Sequence, residues 1–431
     1  IVTWAYLTDA KTGGPMDMFN SPSYEPWIKL LYDHISPNFY RAEPRRRAWT
    51  YLRNLGEVSA GNRGSRKQAT YPGERRADGA QRLLTSAQWN EDQVKSNLID
   101  FIKARFGSSG GTLYVMEMVF PKRGMHAAGV AQQFNVETER KENCQIGVLL
   151  FYEASDRSML FVDRDLYIPE CWISDPARCR RASIPVDIVY RSKSEIAVEL
   201  VNRAFAAGLE AQCVLLSVLC SDKAAAQRIL QRDRRQHLMT LTPGEFSALN
   251  RAWGHQVRTV SHESYAGGGM ARAPVRLRRM TLPTNPMSNF DVSYLVETVA
   301  DRETSRFPGH YYAYTARETA TGTLAELVSK LKGMTIHSRR ERDEIGIGRY
   351  EVRSWRGWYR HMTLAMVAQT AMALAKADDA ASLSGETGTS GTATGPLWSV
   401  EPGMGSLYRQ DSWAASRCPT IQGTNVCSGV S

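Results

Sequence analysis

A chain of 431 residues is long enough to bury a large core, in one large or two moderate domains. Its 54 Lys and Arg against 44 Asp and Glu leave a formal net charge of +10, the footprint of a polyanion binder or of a charge kept only for solubility. No apolar run approaches the roughly 18 residues of a membrane span and no secretory signal opens the chain, so a cytoplasmic protein with no membrane partner is expected.

Residues 1–108 read as a mainly helical N-terminal domain. Pro26–Tyr32 and Asp92–Ile102 place apolar residues three and four apart, the spacing of one helix face. Between them, Ser59–Gly73 is polar and rich in Gly, Arg and Lys. Strands follow: Leu113–Phe120, Gln145–Tyr152 and Ser158–Ile168 are apolar runs of strand length with β-branched and aromatic content. Lys193–Gly208 then has helical spacing and ends on a glycine, Cys213–Cys220 is another apolar run, and Lys223–Gln231 another helix. Three strands, then helix, strand and helix, support a mixed α/β class over 109–378. Residues 255–280, rich in Gly, Arg and Ser, read as an exposed insertion, and Leu324–Lys332 and Tyr359–Lys376 as late helices. Residues 379–431 turn to Gly, Ser and Thr, a composition that buries too little apolar surface to offset its ordering entropy, so a disordered tail is expected. The seven cysteines fit neither a zinc knuckle nor a compact disulfide framework, which points to reduced thiols packed as small hydrophobes.

Six segments, in order, resemble the insertion-sequence-701 family of DDE transposases. They are Arg41–Arg53, Asp78–Leu84 with Trp89 beyond it, Leu113–Val130, Glu142–Val148, Asp163–Pro169 and Tyr350–Met366. The resemblance implies a ribonuclease-H-like catalytic domain behind a DNA-contacting N-terminal region. It also implies three carboxylates holding two divalent metals for in-line phosphoryl displacement. Aligned with the family motifs, the first acid falls on Met116 and the second on Ser217. The third falls on His337 or Ser338, or on Glu341 with a gap placed differently. A thioether is no ligand for Mg²⁺, a hard cation that takes oxygen donors, and a serine hydroxyl brings no charge. Glu117 survives beside Met116, but alternation along a strand turns it to the other face unless a bulge intervenes.

The resemblance therefore implies a transposase-derived protein without its metal pair, and no metal or cofactor is expected. Ser217, Cys220, His126 and His337 include the hydroxyl, thiol and imidazole types of a nucleophile–base pair, although buried structural roles fit them as well. Glu117 and Glu341 complete the candidate cleft. Arg45, Arg46, Arg47, Arg63, Arg66, Lys67, Lys122 and Arg123 are candidate phosphate contacts, giving affinity but little sequence choice. Three readings stay open: a metal-independent protein of bacterial specialised metabolism acting on a small molecule, a DNA-binding remnant or regulator of a related transposase, and a decayed product without activity. The sequence leaves the oligomeric state open.

Overall fold

A computed structural model describes residues 23–57, 78–135, 138–217, 223–253, 258–263, 276–282, 287–297, 309–348 and 350–385. Arg63, Arg66, Lys67 and Cys220, and the tail beyond Gly385, lie outside the described residues. Four helices come first: α1 (Tyr24–Ile35), α2 (Ala42–Glu57), α3 (Asp78–Thr85) and α4 (Glu91–Phe106). Asn90 caps α4 by accepting from the backbone N–H groups of Asp92 and Gln93, two donors the helix itself leaves unpaired.

Ten strands then form one mixed sheet: β1 (Gly111–Pro121), β2 (Ala131–Asn135), β3 (Arg140–Glu153), β4 (Met159–Leu166), β5 (Ala211–Ser217), β6 (His237–Leu241), β7 (Arg258–Glu263), β8 (Arg276–Thr281), β9 (Phe290–Glu297) and β10 (His310–Ala316). The sheet order is β2-β3-β1-β5-β6-β10-β9-β8-β7, with β4 also paired to β3. β1 runs antiparallel to β3 and parallel to β5, and β5 runs parallel to β6. The short helices α5 (Glu170–Ile173) and α6 (Pro176–Arg181) precede α7 (Lys193–Ala206), which crosses from β4 to β5. α8 (Lys223–Arg232) crosses from β5 to β6, and α9 (Pro243–Trp253) follows β6. This order fits the ribonuclease-H-like expectation, with β2 as a strand the sequence reading missed.

α7 begins with a capping box, Ser192 and Glu195 each bonding the other's backbone, and the chain leaves it through Gly208 at φ +82, a left-handed conformation that favours glycine. Two long helices close the described chain, α10 (Thr321–Glu344) and α11 (Trp355–Gly385). α11 comes so close to the sheet that a Cβ on Gly147 would lie 3.1 Å from Trp358 and 3.2 Å from Phe120.

Three expectations change. The stretch read as an exposed insertion contributes β7 and β8, and Leu277 and Arg279 within it are buried, because strand pairing with β9 carries them into the sheet. Residues 379–385, assigned to the tail, continue α11, and Asp378 and Asp379 near its end accept from Trp27 and Ser23 of the N-terminal region. The helices before residue 108 share one hydrophobic core with the sheet and α11. Residue 108 is therefore a change of secondary structure within a continuous core. The four described cysteines, 144, 171, 179 and 213, are free thiols. Among the described residues no helix is long and apolar enough to cross a membrane.

Candidate functional site

Met116 and Ser217 are register partners on the adjacent parallel strands β1 and β5. β1 pairs with β3 residue by residue from Thr112 to Pro121 without a bulge, so Met116 and Glu117 face opposite sides of the sheet. The expectation that Glu117 turns away from Met116 holds for this reason. A row of side chains crosses the sheet at this level: Ser217, Met116, Leu149 and Arg164, on β5, β1, β3 and β4. Met116 is 3% exposed and belongs to the main hydrophobic core, while Ser217 is half-buried.

α10 covers β1 and β5 on the Met116 side. Lys330 of α10 and Tyr114 of β1 both donate to Glu153 of β3, which ties the helix to the start of β1. Beyond the helix, Tyr350 packs edge-on against Phe120 near the end of β1, with ring centroids 5.6 Å apart. α10 starts near β8, where the Thr319 carbonyl accepts from Arg279, and its Lys332 pairs with Glu297 of β9, so the helix crosses the sheet towards β1. His337, Ser338 and Glu341 lie on its second half, past Lys330. Their side chains lie outside the described residues.

The other sequence candidates do not converge on this place. His126 and Arg123 are exposed in the turn between β1 and β2. Lys122, expected to meet phosphate, is instead engaged: its ammonium sits 3.5 Å from the centroid of the Tyr350 ring and donates to the Tyr350 carbonyl. Burial pushes its pKa down to about 8. On α2, Arg45 donates to the Phe39 carbonyl and Arg47 pairs with Glu43, while Arg45 and Arg46 remain exposed.

The reverse face is rich in compensated charge. The Glu117 side chain, 2% exposed, pairs with Lys193 at the start of α7. Its neighbours across the sheet are Val148 and then Asp165, which pairs with Arg191 and Arg203 and accepts from Tyr359. Asp163 pairs with Lys95 at 3.0 Å and Arg203 at 2.8 Å. Burial penalises the Asp163 carboxylate, but Lys95, Arg203 and Arg164 more than offset this and hold its pKa below the usual range. The sequence reading passed over this cluster. Its signal was Asp163-Arg164-Asp165, charges placed inside an apolar strand.

Chemically, the Ser217–Met116–Leu149–Arg164 row offers a hydroxyl, a thioether, an apolar group and a guanidinium. That donor set does not fit a pair of hard divalent cations, which need several charged oxygens. Among the described residues no group of three His, Cys, Asp or Glu could hold a metal ion. No curated protein matches the chain. The family described as DDE superfamily endonuclease matches residues 31–281, from α1 through the seven strands before β8 and on to the end of β8. With more than half of its length matched, and a mixed sheet ordered as that fold requires, the chain belongs to the DDE superfamily of endonucleases.

Proposed function

We propose that this is a transposase-derived protein of the insertion-sequence-701 type that has kept the DDE framework and lost the metal chemistry, so that it neither cuts nor joins DNA. The observation that carries the reading is the register pair Met116–Ser217. In a ribonuclease-H-like sheet, neighbouring positions on these two strands supply the first two metal-binding acids, and here they carry a thioether and a hydroxyl. Glu117 is a poor substitute, because it faces the other side and is bound to Lys193. With Asp or Glu at neither position, the third acid alone would leave any metal pair without its charged oxygens.

DNA contact is the retained property that membership of the superfamily and the +10 charge favour. Arg45 and Arg46 on α2 are exposed residues and the candidates for phosphate contact. The reading in which a small molecule occupies the former cleft draws no support from Met116, which is packed into the core. The test is a nicking and strand-joining assay of the purified full chain on a cognate DNA end with Mg²⁺ or Mn²⁺. No product is expected. Metal-dependent nicking that Glu117→Ala abolishes would overturn both the reading and the alignment behind it.

A further inference from the structure

A cavity of about 120 Å³ lies on the α7 side of the sheet, the side away from Met116. Leu150 and Val162 of the sheet, Ile99 of α4, Ala204 of α7 and Leu209 contribute its apolar lining, and Lys95, Ser96, Asp163 and Arg203 its polar part. Two local features open it. The β3–β4 register steps from Phe151↔Phe161 to Leu150↔Asp163, leaving Val162 as the extra residue of a bulge, so that Val162 and Asp163 both line the cavity. Ala204 of α7 and Ala207, just past its end, then leave short side chains at this spot.

The polar groups are unequally satisfied. Asp163 accepts from Lys95, from the Arg203 Nε, and from both the backbone N–H and the guanidinium of Arg164, so its acceptor capacity is taken. The Lys95 ammonium has three N–H donors, of which one meets Asp163. Burial, the largest influence on Lys95, lowers its pKa despite Asp163, so this cation is under-compensated. Beyond Asp163 the lining offers Lys95 only the neutral Ser96 hydroxyl, so a charged acceptor set against an apolar floor would suit the cavity best.

We propose that this cavity binds a small branched monocarboxylate, with its carboxylate on Lys95 and its hydrocarbon tail against Leu150, Val162 and Ile99. The cavity need enclose only a four-carbon tail, because Lys95 and Arg203, 15% and 38% exposed, leave the carboxylate at its mouth; a cavity of about 150 Å³ holds the six carbons of benzene. The proposal does not rest on the fate of the metal site, because the cavity lies on the opposite face.

The probe is isovalerate, titrated into the full chain by calorimetry beside 3-methylbutan-1-ol, which has the same tail and no charge. Isovalerate is expected to bind one to one and at least about tenfold more tightly than the alcohol, the difference a charge-assisted hydrogen bond makes. Lys95→Met should bring isovalerate down to the affinity of the alcohol. Ala204→Leu, or Ala207→Leu if the former does not fold, should fill the space and abolish binding of both. Failure of isovalerate to saturate the folded wild-type chain would overturn the proposal. So would equal affinity for acid and alcohol, or binding that survives a cavity-filling substitution in a folded variant.

Discussion

Two adjacent rows of side chains cross the centre of the sheet, one on each face. On the α10–α11 side the row reads Ser217, Met116, Leu149 and Arg164; on the α7 side it reads Glu117, Val148 and Asp165. Carboxylates persist on the second face, and each has a cation at hand: Lys193 for Glu117, Arg191 and Arg203 for Asp165. Around Met116 the described neighbours are apolar or aromatic apart from Ser217, and α11 brings Trp358 close against Gly147. A buried carboxylate survives only where an opposite charge offsets its desolvation. On the Met116 side of an active relative that opposite charge would be metal. Without a metal, apolar and neutral groups would suit these positions better than acids.

The sharpest way to break this comparison is to return an acid to the first face. Met116→Asp should cost about 3 kcal/mol or more of unfolding free energy, because it buries an uncompensated charge and removes core volume. Urea denaturation measures it, and a loss under about 1 kcal/mol would mean that water or a cation still reaches the position. On the second face, Lys193→Met should cost about 3 kcal/mol by removing the cation that pairs with the buried Glu117 carboxylate. The double substitution with Glu117→Leu should recover most of that loss. A double-mutant cycle with no coupling would show that the pair is not what keeps an acid on this face.

Acid titration probes the first face again. His361 of α11 is buried, and its ring meets the Tyr51 hydroxyl at 2.7 Å and the Ile347 carbonyl at 2.9 Å. Burial pushes its pKa down to about 4. The unfolded chain, with an ordinary imidazole near 6.5, binds the proton more readily. The contribution is therefore whole above about pH 6.5 and is lost as pH falls towards 4. Between pH 7 and 5 the loss from this residue should be about 2 kcal/mol. His237, buried between the rings of Tyr312 and Tyr314, has the same shift, so His361→Gln should remove only one share of the pH dependence. The smallest effect concerns DNA. Arg46→Ala should leave stability unchanged within about 0.5 kcal/mol and reduce the salt slope of any DNA binding by about one unit.

The core of the fold was legible because its signals are local. Apolar runs of strand length gave β1, β3, β4 and β5, and the terminal glycine gave the end of α7. β2 was missed because its five residues, Ala131–Asn135, include three polar side chains and present no apolar run. β7 and β8 read as part of an exposed insertion because Gly-, Arg- and Ser-rich composition surrounds short strands that only their pairing with each other and with β9 reveals. Motif alignment singled out Met116 and Ser217, but nothing local in the sequence brings together the Lys95–Asp163–Arg203 cluster. Its members sit on α4, β4 and α7, and only the folded sheet brings them together. The same limit applies to Lys122, whose commitment to Tyr350 spans more than two hundred residues of sequence.

The central claim, that the face bearing Met116 and Ser217 no longer builds a metal pair, is tested most directly by titrating the full chain with Mn²⁺ and following the free ion by electron paramagnetic resonance. The account predicts no saturable binding that responds to substitution at either position. Stoichiometric binding of a metal pair, lost on Ser217→Ala in a folded protein, would contradict it.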